Sequence, residues 1–144
     1  PVLVTIAASF ALGNALEKTG AAEFLGNSLV AAAGSDAWLL LALTYLSVMV
    51  LTELITNNAA AMLMLPVVLA ITSAAGLNDV PYVMAVMMAA SASFATPIGY
   101  QCNLMVQGPG GYHFSDFLRI GVPMNLLMAL VTIVAIPFIW PLQG

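Results

Sequence analysis

Two short polar stretches, rich in hydroxyl and amide side chains and free of charge, interrupt an otherwise apolar chain. The first is Thr56-Asn57-Asn58; the second is Ala95-Thr96-Pro97-Ile98-Gly99-Tyr100-Gln101-Cys102-Asn103. Thr and Asn supply donors and acceptors without a fixed charge to desolvate. A broken helix adds unpaired N–H groups on one half and unpaired carbonyls on the other. The N–H ends suit an anion and the carbonyls a sodium ion, so a cation and an anion can share such a site with little net charge to bury. One such break is ordinary, since Asn and Thr often end helices and Pro with Gly often kinks them. Two in one nearly uncharged chain point to a binding site.

The 144 residues are 62% hydrophobic and 6% charged, against roughly 25% charged in a soluble domain. Too few charged side chains remain to clothe a water-soluble fold, so the apolar surface faces lipid. Lipid requires backbone polar groups to be paired within helices or a closed barrel. Barrel strands alternate apolar and polar residues, whereas Ala37–Met49 and Met84–Ala90 carry apolar residues on every face. The expected fold is all-α and integral to the membrane. With Lys18 and Arg119 as its cations and a net charge of −4, the chain has no basic patch for nucleic acid and no charge bias to set its orientation. Cys102 forms no internal disulfide and fits no metal-ligand spacing, so no metal other than sodium is expected. No Ser/His, paired-acid or His-x-x-x-His arrangement indicates an enzyme. The chain opens on Pro1 inside an apolar segment, which reads as a piece of a longer protein.

Val2–Leu16 reads as a first helix, closed by Glu17-Lys18-Thr19-Gly20, and Ala21–Ala33 as a weakly amphipathic segment able to lie along the interface. Ser35 or Asp36 caps the next segment, Ala37–Ile55, which has Trp38 at a headgroup layer. Thr56-Asn57-Asn58 interrupts before Ala59–Ala75, and Gly76-Leu77-Asn78-Asp79 turns at a water interface. Val80–Phe94 follows, with Pro81 in its first turn. Beyond the second break come Leu104–Val106, a loop Gly108-Pro109-Gly110-Gly111 and an interfacial stretch Tyr112–Ile120 capped by Ser115. The last span is Val122–Trp140. Crossing a ~30 Å core takes about 20 residues, so length allows two readings of the Thr56 break. It is a loop between full spans or the tip of a re-entrant hairpin. Its lack of charge, Gly and Pro, and the alanines that follow, favour the tip.

Leu51-Thr52-Glu53-Leu54-Ile55-Thr56-Asn57-Asn58-Ala59-Ala60-Ala61, with Leu65-Pro66 beyond, resembles the hairpin signature of the divalent anion/sodium symporter family. This family holds the sulfate and dicarboxylate carriers of the ion transporter superfamily; its pattern is Thr-Glu, Ser-Asn-Thr, small residues and Leu/Ile-Pro. Ser93-Phe94-Ala95-Thr96-Pro97, with Asn103 and Gly108, resembles the unwound loop facing that hairpin. Phe10-Ala11-Leu12 and Lys18-Thr19-Gly20 extend the resemblance over most of the chain. It implies one inverted repeat with a re-entrant hairpin and a discontinuous transmembrane helix. Residues 1–144 are then a single transmembrane domain, the C-terminal half of a longer multi-pass transporter in the plasma (cell inner) membrane.

The resemblance further implies sodium binding by Thr52, the Ile55 backbone, Asn57 and the Ala95 backbone, and substrate binding by Asn57, Asn58, Thr96 and Pro97. The implied partners are a small anion, the bilayer, an N-terminal repeat and a second copy in a homodimer. Thr56 stands in place of Ser, Asn58 in place of Thr, and Ile98–Cys102 in place of a shorter Pro-Asn continuation. The Gly-Tyr-Gln version is similar to the sulfate-type branch.

The expected function is sodium-driven transport of a small divalent anion, sulfate or a dicarboxylate. The alternatives are a proton/sodium antiporter or metalloid-anion exporter of the same superfamily, and an inactive membrane fragment. An antiporter needs an essential intramembrane acid, and Glu53 is the candidate. An acid at a helix centre costs about 2.5–3.5 kcal/mol. Glu53 is therefore a cation or proton ligand, or else a helix-end acid bonded to backbone and hydroxyls near the hairpin tip. The family motif keeps it as scaffold. His113, Asp116 and Arg119 form either an anion-attracting mouth or a solvated interfacial turn.

Overall fold

In a computed structural model, residues 11, 15, 18–34 and 36–143 are described. The regular elements among them are helices: α1 (Ala21–Ala33), α2 (Ala37–Leu54), α3 (Asn57–Ala75), α4 (Asp79–Ser91), α5 (Gln101–Gly110) and α6 (Phe114–Ile139). The expected Val2–Leu16 helix lies outside the described residues except for Ala11 and Ala15, which are helical.

The helix starts follow from side-chain caps that satisfy free N–H groups. Asp36 Oδ1 accepts from the Trp38 and Leu39 amides at the head of α2, Thr56 Oγ1 from Ala59 at α3, and Asn78 Oδ1 from Val80 at α4. At α6 the Asp116 carboxylate accepts from the His113 amide at 2.8 Å. That assigns the cap to His113 rather than to the expected Ser115.

Helices α2, α3 and α6 are each long and apolar enough to cross a membrane, and the protein is integral and multi-pass. Helix α4 is central, packed on α2, α3 and α6, while α1 lies against α3 and α2. Tyr45 and Val48 of α2, Val68 and Ile71 of α3, and Tyr82, Ala85 and Ala89 of α4 are fully buried between them. The alanines let the helix backbones approach closely, which matters where lipid removes the hydrophobic drive between helices. Outward faces are apolar too: Phe138 of α6 is 83% exposed.

Two cross-links set the direction of α4. Tyr82 Oη donates to the Ala37 carbonyl near both helix starts, and Thr52 Oγ1 donates to the Ala90 carbonyl near both ends. Helices α2 and α4 therefore run parallel. Asn78, at the start of α4, bonds the Pro141 and Leu142 carbonyls just beyond α6, so α6 runs antiparallel to both.

Three expected boundaries move. Asn57 and Asn58 are the first two residues of α3, and the connection shrinks to Ile55 and Thr56, because Thr56 rather than Asn58 takes the cap. Gln101–Gly110 is helical where a break and a glycine loop were expected; Pro109 sits in the last turn, where it gives the Met105 carbonyl no N–H donor, and Gly111 at φ 64° ends the helix. Phe114–Ile139 is one helix running through Pro123 rather than an interfacial turn followed by a span.

Candidate functional site

The second break runs from Ala92 to Tyr100 between α4 and α5, and it folds directly onto the last turn of α2. Glu53, the second-last residue of α2, is the hub. Its Oε1 accepts from the Ala95 amide at 2.9 Å and from Asn125 Nδ2 at 2.6 Å. Its Oε2 accepts from the Thr96 amide at 2.8 Å and from Ser93 Oγ at 3.3 Å. A carboxylate offers about four lone-pair directions, so these donors fill it.

The same loop caps the carbonyls that the end of α2 leaves free. Thr96 Oγ1 donates to the Glu53 carbonyl at 2.8 Å, and Ser93 Oγ shares its proton with the Thr52 carbonyl at 3.3 Å. Within the loop, the Gly99 amide donates to Thr96 Oγ1. Asn103 Nδ2, on the first turn of α5, donates to the Ser93 and Thr96 carbonyls, both at 3.2 Å.

Two glycines allow this approach. A methyl at Gly99 would collide with Ser93 Oγ and stand 2.6 Å from the Thr52 carbonyl oxygen. A methyl at Gly121 of α6 would collide with the Phe94 carbonyl. One turn further along α6, Asn125 is 4% exposed and its Oδ1 accepts from the Phe94 amide at 3.3 Å. The loop is thus held between the tip of the α2–α3 hairpin and the flank of α6.

The structure brings together Thr52, Ala95 and Thr96 of the expected site residues, all bonded within one network. The Thr52 hydroxyl is fully buried and gives its proton to Ala90. Its lone pairs are what it can offer, as a cation requires. Ile55 is half-buried and extended, φ −129° and ψ 174°, at the C-terminal end of α2. Pro97 is buried beside Thr96. Asn57 Oδ1 accepts from the Asn58 amide at 2.9 Å; Asn57 is half-buried and Asn58 exposed, and neither side chain bonds the loop. The Thr96 proton is committed to Glu53, so Thr96 donates to an anion only by releasing that carbonyl.

Helix α5 has no buried residue and stands across a groove of about 830 Å³ from the start of α6. Asn103 and Val106 form one wall, and Phe117, Ile120 and Met124 the other. His113, Asp116 and Arg119 are exposed at the start of α6, and Asp116 and Arg119 line this groove together with Asn103 and Phe94.

Sequence reasoning passed over Gly121 and Asn125. The available signal was an amide four residues after a glycine inside an otherwise apolar span.

The match to the citrate transporter family extends over residues 1–142. The chain belongs to that family. Its members are transporters rather than enzymes. Among its relatives, an uncharacterized transporter of Synechocystis, sll0640, is 41% identical over 143 residues, or 99% of this chain and 23% of that protein. Sodium/sulfate cotransporter 2 of Chlamydomonas reinhardtii is 38% identical, covering 90% of this chain and 15% of that protein. The sodium-dependent dicarboxylate transporter SdcS of Staphylococcus saprophyticus is 26% identical, covering 97% and 27%. Sulfate and dicarboxylate carriers are the group the two motifs resemble. The chain spans about a quarter or less of the length of these relatives.

Proposed function

We propose that this segment carries one half of an ion-coupled site through which the complete protein moves a small divalent anion, sulfate or a dicarboxylate, with sodium. The observation that carries this reading is the depth of the Glu53 network. Asn125 lies 11 residues from Phe114 and 14 from Ile139, about 17 and 21 Å at 1.5 Å per residue. If α6 crosses the bilayer, both breaks lie near its midplane. The α2–α3 hairpin then turns back inside the membrane, and the α4–loop–α5 segment is a discontinuous helix with its gap at the same level. Irregular backbone at that depth persists only where protein or a wet cavity surrounds it.

Thr52 lone pairs, the Ile55 and Ala95 carbonyls and the Asn57 amide oxygen form a neutral oxygen set suited to sodium. The first turn of α3, with its free N–H groups and the Asn57 and Asn58 amides, suits the anion together with Thr96 and Pro97. Sodium binding orders Asn57 and the Ala95–Pro97 loop, the ordered donors hold the anion, and the body carrying both then moves against the rest of the protein. Glu53 with all its lone pairs engaged is a scaffold, which argues against the antiporter reading. An N-terminal repeat supplies the facing half, the assembly is a homodimer, and the plasma membrane is its location.

The test is uptake of labelled sulfate and labelled succinate by the complete gene product, with and without sodium, each competed by the other. The proposal predicts sodium-dependent uptake of at least one. Uptake that ignores sodium, or none of either anion, rejects it.

A further inference from the structure

We propose that Asn125 is a positioning residue for the ion site, making α6 its third wall; this rests on the reading above. Asn125 uses both ends of its amide. Nδ2 donates to Glu53 Oε1 at 2.6 Å, and Oδ1 accepts from the Phe94 amide at 3.3 Å. Its other neighbour on the loop is set one turn earlier, where Gly121 lets α6 lie flush against the Phe94 carbonyl. Gly121 and Asn125 are four apart and share one face of the helix. Together they fix the backbone of Phe94 and Ala95.

The next atoms along are the proposed sodium and anion groups. Ala95 contributes its carbonyl, and the amides of Ala95 and Thr96 are both held by Glu53. Asn125 touches no proposed ligand atom. It acts by orienting the carboxylate that orients the loop. An isosteric apolar residue fills the space but makes neither bond. Aspartate keeps the bond from Phe94 and turns a donor into an acceptor against Glu53.

The chemistry suggests a swap. In Glu53→Gln/Asn125→Asp the introduced glutamine NH2 can donate to the introduced carboxylate on α6 while the glutamine oxygen still accepts from Thr96, with the Ala95 amide losing its acceptor. The measurement is sodium half-saturation and maximal rate of anion uptake in the complete gene product. Wild type, N125D, E53Q and the double variant are compared at matched membrane levels. N125D is expected to raise the sodium half-saturation about tenfold, the scale of one lost bond to a charged group. Its maximal rate at saturating sodium should change little. The loss in the double variant should be at least about threefold smaller than the product of the two single-variant losses, because the two side chains act through one contact.

Half-saturation in N125D within about twofold of wild type overturns the proposal, as does a double variant whose loss equals the product of the two single-variant losses. If N125D fails to reach the membrane, restored abundance in the double variant supports the contact and unrestored abundance rejects it. A wild-type protein that shows no sodium-dependent uptake removes the transport reading instead. The purified proteins then decide the contact by thermal stability: recovery in the double variant supports it, and no recovery rejects it.

Discussion

Replacing Glu53 with Gln preserves shape and removes charge, and the four donors around the carboxylate set the consequence. Gln offers one oxygen and one NH2. If the NH2 takes the place of Oε1, it faces the Ala95 amide and Asn125 Nδ2; in place of Oε2 it faces the Thr96 amide and Ser93 Oγ. Ser93 can rotate to accept, so the second orientation is less unfavourable. Even there, the Thr96 amide exchanges a charge-assisted acceptor for a second donor. A hydrogen bond to a charged group contributes about 1.5–3 kcal/mol, which is a factor of about ten to about a hundred in the equilibrium that orders the loop. Sodium half-saturation for anion uptake by the complete gene product should rise by that factor, with transport recovering at high sodium. Glu53→Asp keeps the charge with one methylene less reach, and should lose less. A Gln variant within twofold of wild type would refute the idea that Glu53 holds the loop. A Gln variant that no sodium concentration rescues would make Glu53 a cation or proton ligand.

Three further perturbations probe the surrounding structure. Gly121→Ala drives a methyl into the Phe94 carbonyl, and overpacking between two backbones costs about 1–3 kcal/mol. Uptake should fall at matched membrane levels, and unchanged uptake would put α6 away from the loop. Thr132 Oγ1 on α6 and Tyr45 Oη on α2 face each other, and with Thr44 Oγ1 they are buried without a fully formed hydrogen bond. Thr132→Val should leave the Tm of the purified protein unchanged or raise it by the equivalent of about 1 kcal/mol. A clear fall would mean that the hydroxyls hold a bound partner. Cys102 is exposed on the first turn of α5, next to Asn103, which staples the loop. Thiol labelling should slow when sodium and anion are both present, and equal rates would detach α5 from the site.

The all-helical membrane fold was legible because almost every charged residue is missing and the apolar runs are helical in length. Both breaks were legible as well, because hydroxyls, amides, Pro and Gly cluster at Thr56–Asn58 and Ala95–Asn103 within otherwise apolar runs. Local signals blurred the edges. Thr56 and Asn58 are both competent caps, and only packing chose Thr56. Gly108-Pro109-Gly110 carries the composition of a loop, and nothing local signals that α5 runs on through it to Gly110. The polar residues of Tyr112–Ile120 set that stretch apart from Val122–Trp140, but α6 runs through both as one helix. Asn125 was silent for a different reason. Its partner is 72 positions away in sequence, and a single amide in an apolar helix has no period to betray which way it faces.

The account stands on Asn57, the residue proposed to serve sodium and anion at once from the first position of α3. Sodium-dependent uptake of labelled sulfate or succinate by the complete gene product carrying Asn57→Ala tests it directly, at membrane levels equal to wild type. The predicted result is abolished sodium-dependent uptake. Undiminished uptake would contradict the site.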